Sequence, residues 1–88
     1  MTIPSEHLRM SATERAIACV WGEVLPLSEP AQPEDNFFTL GGTSIDMIMT
    51  LFRIGEELNV RLPDSAIFDA PSLRELSALV DSLLAKQE

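Results

Sequence analysis

Positive charge is scarce in this 88-residue chain, which has six lysines and arginines against fourteen aspartates and glutamates, a net charge of −8. Binding a phosphate backbone requires clustered cations, so nucleic acid is excluded as a partner. An anionic membrane surface is an equally poor match. Cysteine occurs once, as Cys19, which rules out an internal disulfide and a cysteine-built metal site. It falls off the apolar stripe of the first expected helix and reads as a small reduced filler. Histidine also occurs once, as His7, in a stretch that reads as a tail. A serine hydrolase needs its nucleophile held against an oriented base, and a base in the tail cannot provide that. No apolar run approaches the roughly 20 residues that span a bilayer. Residues 1–10 hold Pro4, Glu6, His7 and Arg9 where an export signal would have an apolar core. The expectation is a cytoplasmic protein with no metal and no catalytic residues of its own.

What is present is apolar and helical. Hydrophobic residues make up 45% of the chain, enough for one packed core at this length and too many for disorder. Residues 1–10 read as a flexible tail and residues 11–85 as one domain. Ser11-Ala12-Thr13-Glu14 fits a capping box that opens a first helix. Ile17, Val20, Trp21 and Val24 then recur at helical spacing, and Pro26 stops it. Residues 25–43 form a long loop broken by Pro26, Pro30 and Pro33, with turn signals at Asp35-Asn36 and Gly41-Gly42. At least one of Phe37, Phe38 and Leu40 must be buried to pin it, and loops of this length tend to be functional. A second helix is expected from Ser44 to Leu58, closed by Asn59 and Pro63. Asp64 to Asp69 reads as a short helical turn with Ile67 and Phe68 packing inward. Ser72 and Glu75 form another capping box for the last helix, whose apolar face is Leu73, Leu76, Leu79, Val80, Leu83 and Leu84. No segment alternates with period two. The predicted fold is all-α: three main helices and one short one, with a long first loop.

The second helix is unusual. Met47, Leu51, Ile54 and Leu58 form one apolar stripe, while Ile45, Ile48, Met49 and Phe52 form a second beside it. Together they cover roughly 220° of the wheel, well beyond the ~100° a surface helix needs to seal a core. Either the helix is buried nearly all round, or one stripe is a docking surface. Ser44 lies at the start of this helix, near the seam between the stripes. Two glycines precede it, which permit a sharp turn and leave room for an enzyme to approach. Free N–H groups and the positive end of the helix dipole would favour a phosphate there. A plainer role is also open, with Ser44 or Thr43 acting only as the helix cap.

The stretch Asp35-Asn36-Phe37-Phe38-Thr39-Leu40-Gly41-Gly42-Thr43-Ser44-Ile45 resembles the signature of peptidyl carrier (thiolation) domains of nonribosomal peptide synthetases, within the acyl-carrier-protein-like superfamily. Phe68-Asp69-Ala70-Pro71-Ser72-Leu73-Arg74-Glu75-Leu76 is similar to that family's approach to its last helix, and the resemblance runs from about residue 12 to 84. It implies that Ser44, framed by Gly41, Gly42 and Thr43, is the attachment point of 4′-phosphopantetheine, transferred from coenzyme A by a phosphopantetheinyl transferase with Mg²⁺. The arm's thiol would hold an amino acid or related acyl group as a thioester. Adenylation enzymes and condensation or tailoring enzymes would be the partners of a monomeric carrier. The resemblance also favours the docking-stripe alternative, with Ile45, Ile48, Met49 and Phe52 as partner contacts and Met47, Leu51, Ile54 and Leu58 in the core.

Three positions depart from the family's habit. Phe52 is larger than the residue often found there, and Thr43 stands where histidine or aspartate is common. Asp46 gives Ser-Ile-Asp, similar to the Ser-Leu-Asp of fatty-acid and polyketide carriers, so fatty-acyl, polyketide or aryl cargo is the alternative to peptidyl cargo. The absence of a linker reads as a free-standing carrier acting in trans, with an excised module domain as the alternative. A rival of another class is a helical interaction module whose serine stays unmodified.

Overall fold

Helix α1 (Ala12–Val24) begins at the predicted capping box: the Ser11 hydroxyl accepts from the Glu14 N–H at 3.0 Å, and the Glu14 carboxylate accepts from the Ser11 N–H at 2.8 Å. In the computed structural model, which describes residues 10–86, α1 is followed by α2 (Ser44–Leu58), α3 (Ala66–Asp69) and α4 (Leu73–Lys86). His7 and nearly all of the expected tail lie outside the described residues. No strand is present among the described residues, only an isolated antiparallel bridge between Asn36 and Ser72. The architecture is the all-α bundle anticipated from the sequence. No helix among the described residues is long and apolar enough to cross a membrane.

Each boundary has a local cause. α1 ends where Leu25 turns extended ahead of Pro26. α2 ends at Asn59, whose φ of 55° is the left-handed cap conformation that asparagine tolerates better than other side chains. α4 opens on the second box, with the Ser72 hydroxyl accepting from the Glu75 N–H at 3.1 Å and the Glu75 carboxylate accepting from the Ser72 N–H at 3.3 Å.

Ile17, Val20 and Trp21 of α1 meet Met47 and Ile54 of α2 and Leu73, Leu76 and Val80 of α4 in a single core. Polar ties also hold α1 from outside: Arg53 pairs with Glu23, and the Thr13 hydroxyl donates to Asp81 at 2.6 Å. The long loop is fastened at Phe37, which is fully buried with its ring edge-on to Trp21 at 5.3 Å. Burying a side chain of this size contributes about 1.5–3 kcal/mol. Backbone bonds then tie the loop to the α3–α4 junction: Phe37 N–H to Pro71 O at 2.8 Å, Leu73 N–H to Asp35 O at 3.0 Å and Arg74 N–H to Pro33 O at 2.8 Å.

Two packing expectations need correction. Phe68 does not pack inward; it is 60% exposed. On a helix as short as α3, Ala66 and Ile67 take the inward positions, and the next residue is turned about 100° away. Leu51 and Leu58 are half-buried rather than core. Thr50, which the sequence reading left unassigned, is fully buried.

Candidate functional site

The segment before α2 is a built turn in which almost every side chain has a structural task. The Asp35 carboxylate accepts from the Gln32 N–H at 2.8 Å. The Asn36 side-chain oxygen accepts from the N–H groups of Phe38 and Thr39, at 2.8 and 3.2 Å, which starts the turn. Phe37 plunges into the core and Leu40 is half-buried beneath the loop. Gly41 has φ of 101°, a conformation glycine adopts readily and other residues resist. Gly42 serves a different purpose from the expected clearance for an enzyme. A Cβ there would lie 2.3 Å from the Phe37 ring, so position 42 is kept bare by the core.

This turn delivers the chain to α2 with Thr43 as the N-cap. The Thr43 hydroxyl accepts from the Asp46 N–H at 3.2 Å, and the Asp46 carboxylate accepts from the Thr43 N–H at 3.0 Å. Of the two candidate caps, then, Thr43 performs the capping. Ser44 is the first residue of the helix, exposed, and its hydroxyl has no hydrogen-bond partner among the described residues. The N–H groups of Ser44 and Ile45 precede the first intrahelical bonds and also lack partners among the described residues. Unpaired donors and the positive end of the helix dipole beside a free hydroxyl suit a phosphate ester.

Along the helix, the two stripes separate. Met47, Thr50 and Ile54 face the core, whereas Ile45, Ile48, Met49 and Phe52 are exposed, Ile48 by 63% and Phe52 by 65%. The alternative of a helix buried all round is thereby excluded. Phe68 extends the exposed surface: its ring stacks on Phe38 at 5.4 Å, and Phe38 in turn meets Phe37 edge-on at 5.5 Å. Sequence reasoning missed Phe68 because it assigned both residues of the pair Ile67-Phe68 to the inside. For Thr50 a signal was there to find, since it sits at the i+3 position between Met47 and Ile54. Cys19 is exposed on α1, and among the described residues no cluster of histidine, cysteine or carboxylate side chains is placed to hold a metal ion.

Comparison with known proteins gives a consistent result. The model of the "Phosphopantetheine attachment site" family matches residues 15–80. Gramicidin S synthase 2 of Brevibacillus brevis is 39% identical over 75 residues, which cover 85% of this chain and 2% of that protein. The L-2-aminoadipate reductase large subunit of Candida glabrata is 41% identical over 71 residues, covering 80% of this chain and 5% of that protein. The chain thus spans only a few per cent of the length of these relatives. Among solved structures, BlmI, a type-II acyl-carrier protein of Streptomyces verticillus involved in bleomycin biosynthesis, superposes with a TM-score of 0.77 at 29% identity, over 83% of this chain and 87% of that one. A peptidyl carrier protein solved with the phosphopantetheine transferase Sfp and coenzyme A gives the same TM-score and identity, over 83% of this chain and 94% of that one.

Proposed function

The chain belongs to the phosphopantetheine-attachment family, and from that premise we propose that Ser44 is the residue that bears the 4′-phosphopantetheine arm. The observation that carries this assignment is the division of labour at the start of α2. Thr43 and Asp46 satisfy the cap between them, which leaves the Ser44 hydroxyl exposed and unengaged among the described residues. That hydroxyl attacks the phosphorus of coenzyme A next to the pantetheine, the pyrophosphate bond breaks, and the adenosine bisphosphate half departs. The proton leaves through the transferase. Gly41 and the buried Phe37 hold the turn that presents Ser44, and the partnerless N–H groups of Ser44 and Ile45 would be available to a phosphate ester there. When attached, the arm supplies a thiol on a long tether, which holds an acyl group near successive active sites at high effective concentration.

The cargo proposed is an amino acid or a closely related acid. Support comes from the relatives, named as a gramicidin synthase and an aminoadipate reductase. The resemblance of Ser-Ile-Asp to fatty-acid and polyketide carriers loses weight, because Asp46 is accounted for by its bond to the Thr43 N–H. Likeness to BlmI, a type-II carrier, over most of both chains supports a carrier acting in trans. The partners proposed are a transferase, an adenylating enzyme and condensation or tailoring enzymes, with bond-making chemistry residing in them. Solved neighbours include a carrier with the transferase Sfp, an adenylation–carrier pair with phenylalanyl-adenylate, and a thiolation–reductase pair. Ile45, Ile48, Met49 and Phe52 form the proposed docking face.

The test is intact-mass measurement after incubation with coenzyme A, Mg²⁺ and a promiscuous transferase. The reading requires a gain of one phosphopantetheine that vanishes in Ser44→Ala. A folded protein that gains nothing would be the unmodified interaction module instead.

A further inference from the structure

Phe68 is 60% exposed on a four-residue helix whose inward positions belong to Ala66 and Ile67. A phenylalanine left largely in water contributes little to the core, so sealing the bundle does not explain it. Its ring partner does. The Phe68 ring lies nearly parallel to that of Phe38, at 20° with 5.4 Å between centroids, an offset stack. Phe38 also meets the buried Phe37 edge-on, at 89°. The Phe38 ring is thus in contact with the core through one neighbour and with α3 through the other.

The backbone of Phe38 is the hub of the turn that leads to Ser44. Its N–H donates to the Asn36 side-chain oxygen at 2.8 Å, and its carbonyl accepts from the Gly41 N–H at 3.1 Å. The Phe37 carbonyl accepts from the Gly42 N–H at 3.0 Å, and Thr43 then caps α2. Phe37 is anchored by complete burial, whereas Phe38 is only half-buried. The α3–α4 junction grips this pair twice. Pro71 O accepts from the Phe37 N–H at 2.8 Å, and three residues earlier Phe68 stacks on Phe38. Ile67 and Ala70 are buried on either side of Phe68, so its ring is carried on a fixed base.

We propose that Phe68 is a positioning residue for transfer of the arm to Ser44. It acts through Phe38: the stack keeps that residue seated, and the Phe38 N–H and carbonyl keep the turn closed in the form that presents the serine. Without the stack the turn opens more often. The transferase then meets the presenting form less often, which weakens its apparent binding of the carrier. Aromatic stacking of this kind shifts such an equilibrium by roughly threefold to tenfold. The inference rests on the reading of Ser44 as the attachment residue, and adds a determinant supplied by a different element.

The test is hydrogen exchange, followed by NMR on the full ¹⁵N-labelled chain alone in solution, with transferase kinetics on the same variants. Phe68→Leu keeps apolar bulk without the ring, so the melting temperature and the exchange of α4 amides should not change. The Gly41 and Gly42 amides should exchange about threefold to tenfold faster. With coenzyme A and a promiscuous transferase, KM for the carrier should rise about twofold or more while kcat holds. Phe68→Tyr, which restores a ring, should return both readouts to their original values. Phe38→Leu should reproduce the effect, and combining it with Phe68→Leu should add little. Unchanged exchange at Gly41 and Gly42 in Phe68→Leu would overturn the proposal, even with a raised KM, which would make Phe68 a contact of the transferase. Faster exchange throughout α4 would reduce Phe68 to a general support of the fold and overturn it too. So would an unaltered KM beside faster exchange, or no recovery in Phe68→Tyr. Exchange is read on the unmodified chain, whereas the site of mass gain in the unsubstituted protein reports separately on Ser44.

Discussion

A methyl group at position 42 would sit inside the van der Waals envelope of the Phe37 ring, 2.3 Å from its Cε2. The ring is rigid, fully buried and wedged against Trp21, so it has no room to retreat. Gly42→Ala should therefore destabilise the fold by about 1–3 kcal/mol, the usual range for overpacking, and thermal melts would measure it. The opposite sign is expected at Ser77. Its hydroxyl is buried on α4 with no partner among the described residues, and such a group costs about 1–3 kcal/mol to keep dry. Ser77→Ala removes that cost and improves helix propensity, so it should raise stability by about 1 kcal/mol. An unchanged or lowered melting temperature would mean that the hydroxyl is satisfied, for example by a buried water.

At the scale of the element, α2 is organised by its cap and its two faces. Thr43→Ala removes the side-chain acceptor for the Asp46 N–H and should cost about 1 kcal/mol, seen as a lower denaturant midpoint with little change in overall helicity. Ile48→Asp should leave helicity and melting almost unaltered, because Ile48 points to solvent, yet transfer to or from a partner enzyme should slow. If helicity collapses in that variant, the face is core and the docking assignment fails.

The helices were legible in the sequence because their signals are local. The Ser11–Glu14 and Ser72–Glu75 boxes, Pro26 and the left-handed Asn59 each act within one turn of the chain. The division of α2 into two stripes was legible as well. Which stripe faces inward is a property of the neighbours, and the residues alone left that open. The same limit explains Phe68, whose exposure depends on the tilt of a four-residue helix, and Gly42, whose reason is a ring five residues upstream.

The whole molecule is a small bundle in which one aromatic joint performs an outsized share of the fastening. Trp21, Phe37, Phe38 and Phe68 run in contact from the centre of α1, through the loop that presents Ser44, to the exposed surface of α3. Phe37→Ala should cost about 3–5 kcal/mol. Domains of this size have only about 5–15 kcal/mol in total, so that variant should be marginally folded at best, and circular dichroism on heating would register it. The joint also shows why the turn before α2 carries so many fixed residue types: the chain must enter the core at Phe37 and return to the surface within seven residues.

The proposed function requires the Ser44 oxygen to become a tether. Fragmentation mass spectrometry of the transferase-treated protein tests this most directly, because it locates the added group along the chain. A single phosphopantetheine confined to fragments containing Ser44, among all the serines and threonines present, is the predicted result. An adduct on any other hydroxyl, or none on correctly folded protein, would contradict it.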